Sequence, residues 1–382
     1  MKRRFFLTVA CAALLAAACS KDESGEAAAP TPGQADSAYT PGCYRPGRLP
    51  ATLTENSETQ YFAWDDGEEP RLTAMGPDGR AGTFEYDGLG RQISVSRPAT
   101  SISGAQTLRF EYSGDCLSRL TLTGSGGATL LSATTAYSGN RLQTVRYDEI
   151  DKSMITGYLN DFLNSRRKDF VDNILISNLQ SDYTWTGSIV SGEHLTATGS
   201  TDLAIGELVQ QLNLDTSFYR TVIETTDLGS QLPGVTPQLL KSFVDMLADS
   251  SCHIDVDIDL TLHYRYDGHP NPLYGFWGWG FLGNTRVLSS SNITAVEREG
   301  VATATVGFNL PASVPDSYDP ATRIALTLAL AYLNSRYPDG FRFSYPYALD
   351  GSTSYTYDYD PAGWPVGCTD DRQQTTSFTY ND

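Results

Sequence analysis

The chain contains none of the compact motifs that mark a known chemistry. It has no G-x-S-x-G elbow, no H-E-x-x-H, no phosphate-binding P-loop and no G-x-G-x-x-G. Four histidines, His194, His253, His263 and His269, leave little material for a triad or a metal cluster. No C-x-x-C pair is present, which argues against a zinc site or a dithiol redox motif. Basic residues are scarce: 27 Lys and Arg against 45 Asp and Glu give a formal charge of −18. No local basic patch interrupts that acidity, so nucleic acid is excluded as a partner. Long apolar runs are missing as well. The stretch from Phe5 to Ala18 is too short to cross a bilayer as a helix.

That short run nevertheless has a function. Met1-Lys2-Arg3-Arg4 precedes it and small residues end it, which is the layout of an export signal over residues 1–18. Leu14-Leu15-Ala16-Ala17-Ala18-Cys19 resembles a lipobox, in which the cysteine thiol takes a diacylglycerol after cleavage; Cys19 is therefore the expected lipidation site. Cleavage would remove Lys2, Arg3 and Arg4 and take the charge to −21. Lys21-Asp22-Glu23 resembles the surface-export signal of Bacteroidetes lipoproteins, and implies display on the outer face of the outer membrane. Residues 24–42, rich in Ala, Pro, Gly, Ser and Thr, cannot bury enough apolar surface to fold, so 19–42 reads as a lipidated flexible stalk. An exported protein is permitted disulfides, and Cys43, Cys116, Cys252 and Cys368 are the candidates; their pairing stays open.

Residues 43–382 read as one β-rich domain. Between 43 and 150, short apolar strands alternate with Asp-Gly and Ser-Gly turns, which supply the positive φ of tight hairpins. Gln60–Trp64, Thr83–Tyr86, Gln92–Val95 and Phe110–Tyr112 are such strands, and the spacing predicts an antiparallel meander. Tyr183–Gly187 and Glu193–Thr198 form a further hairpin. The strand over 253–266 is the cleanest: Ile254, Val256, Ile258, Leu260, Leu262, Tyr264 and Tyr266 share one face, with His253, Asp255, Asp257 and Asp259 on the other. Helical insertions are expected around 152–250 and 319–336. Tyr158, Leu159, Phe162 and Leu163 show helical spacing, as do Leu239, Leu240, Phe243, Val244 and Leu247 behind Thr236-Pro237, and Asp319-Pro320 opens a run to Leu333.

Tyr86-Asp87-x-x-Gly90-Arg91 resembles the tyrosine-aspartate repeat of RHS-type proteins, and Tyr359-Asp360-x-x-Gly363 echoes it. Tyr266–Tyr274, Leu288–Thr294 and Tyr355–Pro365 resemble Bacteroidetes surface lipoproteins that carry such imperfect repeats, described as domains of unknown function with a porin-like β fold. The resemblance implies a porin-like or half-barrel curved sheet with a few inserted helices, and lends no chemistry. The repeats are few and irregularly spaced, which departs from a closed RHS shell. A lipid anchor, an acidic stalk and a non-aromatic end, Tyr380-Asn381-Asp382, also depart from an outer-membrane pore.

Two constellations remain. Asp255, Asp257 and Asp259 repeat about 7 Å apart along one strand face. A straight strand spreads such groups where a Ca²⁺ site gathers them. The expectation is a solvated face with cross-strand Arg or Lys partners and no metal. The second is apolar: Tyr274, Trp277 and Trp279 lie in a glycine-punctuated loop over 272–283, suited either to plug the sheet or to stack on a ligand. No catalytic residue and no cofactor is expected. The reading is a non-enzymatic binding or structural module, held to the membrane by its lipid, with a glycan or an envelope protein as partner. The alternative is a glycan-acting hydrolase using a carboxylate pair, built on the Asp255 strand or on Asp65 and Asp66.

Overall fold

The computed structural model describes residues 44–381, apart from 45, 56, 78–81, 100–103, 152–174, 205–219, 221–234, 248–250, 277–284, 309–310, 312 and 337–340. The meander closes on itself. Strands β1 (Pro50–Glu55), β2 (Glu58–Trp64), β3 (Leu72–Gly76), β4 (Gly82–Tyr86), β5 (Gln92–Arg97), β6 (Gln106–Ser113), β7 (Cys116–Thr123), β8 (Thr129–Ser138) and β9 (Arg141–Ile150) follow one another, each antiparallel to the last. They continue as β10 (Leu175–Thr186), β11 (Ile189–Ala204), β12 (Ser251–Pro270) and β13 (Ser291–Phe308). Strands β14 (Phe341–Ala348) and β15 (Gly351–Tyr359) both pair with β13, one beyond the other, and so occupy a single position in the ring. After β16 (Pro365–Asp370) and β17 (Thr375–Tyr380) the ring returns to β1, with Leu53 opposite Phe378. The result is a closed barrel of sixteen strand positions, where the sequence left a half-barrel open.

Alternation decides which side faces in. On β6, Leu108 and Phe110 are buried while Arg109 and Glu111 are exposed; on β12, Ile254, Leu260 and Leu262 are buried while His253, Asp257 and Asp259 are exposed. The lumen is therefore apolar, with Leu72, Leu120 and Leu260 at 0% exposure, and the outer wall is polar. A barrel that spans a bilayer needs the inverse, an apolar outer band. A circular sixteen-stranded barrel also leaves an aqueous channel, whereas here, among the described residues, buried side chains and a plug form a core inside the ring.

Seven aromatic donors tie the hairpins together at one rim. The Trp64 indole N–H donates to Pro50 O at 2.8 Å, Tyr86 OH to Leu72 O at 2.8 Å, and Tyr112 OH to Gln92 O at 2.6 Å. Trp185 donates to Leu142 O at 2.7 Å, Tyr266 to Val190 O, Tyr357 to Ile293 O at 3.1 Å and Tyr380 to Pro365 O at 2.7 Å. In each case the donor lies within four residues of the end of one strand and the acceptor within three residues of the start of the strand that precedes it in the ring. A polar residue follows every donor, as in Trp64-Asp65, Tyr112-Ser113 and Trp185-Thr186. The turn behind it can be equally regular. In Asp87, Asp360 and Asp370 the carboxylate accepts backbone N–H bonds from residues two and four ahead. The position three ahead is left-handed: Gly90 at φ 78°, Gly363 at 83°, and Gln373 at 62°. Glycine takes that conformation without steric cost. The recurring phrase in the sequence is thus a hairpin end.

The barrel is lopsided. β11, β12 and β13 run 16, 20 and 18 residues, against 5 to 8 for β1–β7. Their extra length rises at the rim opposite the aromatic collar. Ala204 pairs with Ser251 and Phe308 with Phe341 there, so the connections 205–250 and 309–340 both leave from that end. They carry helices α1 (Pro237–Met246) and α2 (Pro320–Arg336), where the helical spacing placed them. Thr236 caps α1, accepting from Leu239 N at 3.1 Å. The predicted helical stretch at Tyr158–Leu163 lies outside the described residues.

One glycine is required by strand contact. A Cβ on Gly300 would meet Asp259 O at 2.3 Å and the Leu260 Cα at 2.8 Å, both backbone. Gly300→Ala should cost about 2 kcal/mol by overpacking. Gly88→Ala, with nothing within 4 Å of its Cβ, should stay within about 0.5 kcal/mol. Paired urea melts check this; equal stabilities would refute the close approach.

Candidate functional site: a plugged lumen and an acidic wall

The glycine-punctuated segment after β12 turns inward at the collar rim. Asn271 N donates to Ser290 O at 2.9 Å and Gly275 N to Val287 O at 2.8 Å, which folds the segment's two ends against each other. Leu273, Phe276, Val287 and Leu288 are buried in the main core. The Phe276 ring packs on Tyr44, Phe62 and Phe84 at centroid distances of 5.0, 6.4 and 6.0 Å. On the other side, Ser289 Oγ accepts from Val190 N at 3.0 Å and donates to Tyr266 OH at 2.9 Å. Phe62 and Phe84 belong to β2 and β4, Val190 and Tyr266 to β11 and β12, on opposite walls of the ring. The described part of the segment is therefore a plug that joins the walls. Tyr274 is half-buried within it; Trp277 and Trp279 lie outside the described residues.

The Asp255, Asp257 and Asp259 carboxylates stand on the outer wall, as the alternation predicted. Their partners are not the expected Arg or Lys. His194 Nε2 lies 2.9 Å from Asp259, and His253 sits between Asp202, at 2.8 Å from Nδ1, and Asp255, at 3.0 Å from Nε2. The residues directly opposite are Ser200, Thr198 and Thr196 on β11 and Thr305, Thr303 and Val301 on β13, so imidazoles reaching along or across the strands, from His253 on β12 and His194 on β11, take the role. The hydrogen bond to Asp202 first, and the charge of Asp255 with it, raise the His253 pKa above its ordinary value. Among the described residues no three His, Cys, Asp or Glu side chains are placed to share a metal ion. Asp65, one of the other carboxylates considered, accepts from Gly67 N and Arg71 N and closes a turn.

Two ionisable residues that sequence reasoning passed over face the lumen. Glu193 on β11, Leu262 on β12 and Arg298 on β13 form one cross-strand row. Directly opposed residues share a face, and Leu262 is core, so Glu193 and Arg298 point inward. They are 4% and 6% exposed. Two strand spacings put their backbones about 10 Å apart, with Leu262 between them. Tyr264 OH donates to Glu193 Oε2 at 2.7 Å. Burial raises the Glu193 pKa, opposed by hydrogen bonds from Ser181, Tyr264 and Tyr183. The signal was a charge at an apolar position: Glu193 shares its face with Leu195 and Ala197, and Arg298 with Val296 and Ala302. Cys116, on β7, and Cys368, buried on β16, are thiols; Cys43 lies outside the described residues.

No protein family matches the chain, and neither does any curated protein. Among solved structures it is similar to a porin-like protein from Bacteroides vulgatus ATCC 8482, at 8% identity and a TM-score of 0.32, over 87% of this chain and 99% of that one. A porin-like protein from Bacteroides uniformis ATCC 8492 shares 11% identity at a TM-score of 0.26, over 87% and 98% of the two chains. Likenesses of that size assign no function.

Proposed function

We propose that this chain is a lipid-anchored, non-enzymatic protein of the outer membrane surface, whose plugged barrel is a scaffold that presents its long connections to a glycan or an envelope protein. One observation carries the reading. The stalk side of the chain joins the barrel at the collar rim, where Asn381 N donates to Leu49 O at 3.0 Å, while 151–174, 205–250 and 309–340 leave the opposite rim. A lipid on Cys19 would hold the collar toward the membrane and turn those connections outward. The polar outer wall and filled lumen support a scaffold over a pore. The aromatic-polar pairs, read as degenerate tyrosine-aspartate repeats, supply one hairpin each. Tyr274 at the collar remains a candidate ligand contact, and Trp277 and Trp279 remain candidates on the sequence alone.

Cys19→Ala should abolish labelling by an alkyne-palmitate and move the protein from the membrane to the soluble fraction. Persistent labelling of Cys19→Ala would exclude the anchor. Protease added to intact cells should degrade the parent protein, and full protection would exclude surface display through Lys21-Asp22-Glu23.

A further inference from the structure

We infer that Arg298 and Arg372 form a binding site for an oxyanion, carboxylate or sulfate, inside the rim from which the long connections leave. Arg298 faces the lumen on β13 at the level where β16 ends and the tall wall continues alone. It is 6% exposed. Its Nη2 donates to Ser352 O at 3.3 Å, and among the described residues its buried Nε–H has no acceptor. Among the described residues, no carboxylate forms an ion pair with it. Burial first, and then the charge of Arg372 in the β16–β17 turn, lower its pKa below the ordinary guanidinium value, while Tyr355 and Asp371 oppose that. That turn is held over β15 by Asp371 N donating to Ser354 O at 3.1 Å. Gly351 packs directly on the guanidinium, 3.1 Å from where its own Cβ would stand.

Burying a guanidinium on one long hydrogen bond, with no ion-paired carboxylate, is costly, and a second guanidinium nearby adds to the cost. An oxyanion removes both penalties. Arg presents a planar fork suited to two oxygens, and the idle Nε–H is one tine of that fork. Arg372 is exposed, so it can meet a ligand in solvent and deliver it to Arg298. In a chain of charge −18, capture of an anion needs such a local arrangement, since the overall field repels it. The inference stands whether or not Cys19 is lipidated.

The test is calorimetric titration of the purified full chain with sodium sulfate, sodium glucuronate and glucose, in chloride buffer of constant ionic strength. Saturable heat with sulfate or glucuronate, and none with glucose, is expected. Sulfate alone would identify a free inorganic anion as the ligand, and glucuronate binding would identify an acidic sugar. Arg372→Ala, a surface change that the fold tolerates, should weaken binding about tenfold, as the loss of one charge-assisted hydrogen bond does. Asp371→Asn should tighten it, because the competing carboxylate is gone. Heat that is absent for both anions, or unchanged in Arg372→Ala, overturns the site. Weaker binding in Asp371→Asn overturns it too, since Asp371 would then be helping to hold the ligand.

Discussion

Phe276→Ala is expected to remove about 4 kcal/mol of stability, within the range for truncating a fully buried aromatic. The ring is 3% exposed and touches three others, Tyr44, Phe62 and Phe84. Two of these are on the low wall. The third reaches the plug from the N-terminal side, where Tyr44 OH also donates to Pro272 O at 2.7 Å. Truncation leaves a void in a lumen that has no second layer to collapse into it, so relaxation recovers little. Tyr274→Ala, two residues away and only half-buried, should cost about 1 kcal/mol. Urea denaturation of the two variants separates them. A loss below about 1 kcal/mol for Phe276→Ala would mean that the walls close without the plug.

The legibility of this molecule in its sequence followed the range of the interactions involved. Strand β12 could be read residue by residue, because alternation is local and one face is buried or half-buried from Ile254 to Tyr266. The α1 start could be read for the same reason: Thr236 caps and Pro237 needs no N–H partner. Closure could not. It depends on Leu53 meeting Phe378, and neither strand carries any mark of the other. The collar was half visible. Tyr86-Asp87 and Tyr359-Asp360 stood out, but Trp64-Asp65 and Trp185-Thr186 play the same part with an indole N–H in place of a phenol. Only the acceptor geometry unites them. The acidic face was placed correctly and its partners were not, because cross-strand neighbours depend on register, and register put His194 opposite Thr261, within reach of Asp259.

Glu193 gives the other large effect, and its two substitutions should diverge. Glu193→Ala leaves the Tyr264 hydroxyl without its 2.7 Å acceptor and opens a cavity, a combined loss of about 3 kcal/mol. Glu193→Gln keeps the volume and an acceptor oxygen, and it cannot ionise. Burial disfavours the charged carboxylate and places its folded pKa above the unfolded one. The native state therefore binds the proton more tightly. The stability this contributes is complete below the ordinary carboxylate range and is lost as pH rises through the raised folded value. The Gln variant lacks that loss. Relative to the parent it should be close to neutral in acid and should gain as pH climbs toward 8, whatever the other titrating groups do, because they are common to both proteins. Urea midpoints of parent and Glu193→Gln across pH 4 to 8 measure the difference directly. A constant difference would show that Glu193 titrates alike in both states, and a difference of the opposite slope would show that Ser181, Tyr183 and Tyr264 hold it charged inside the barrel.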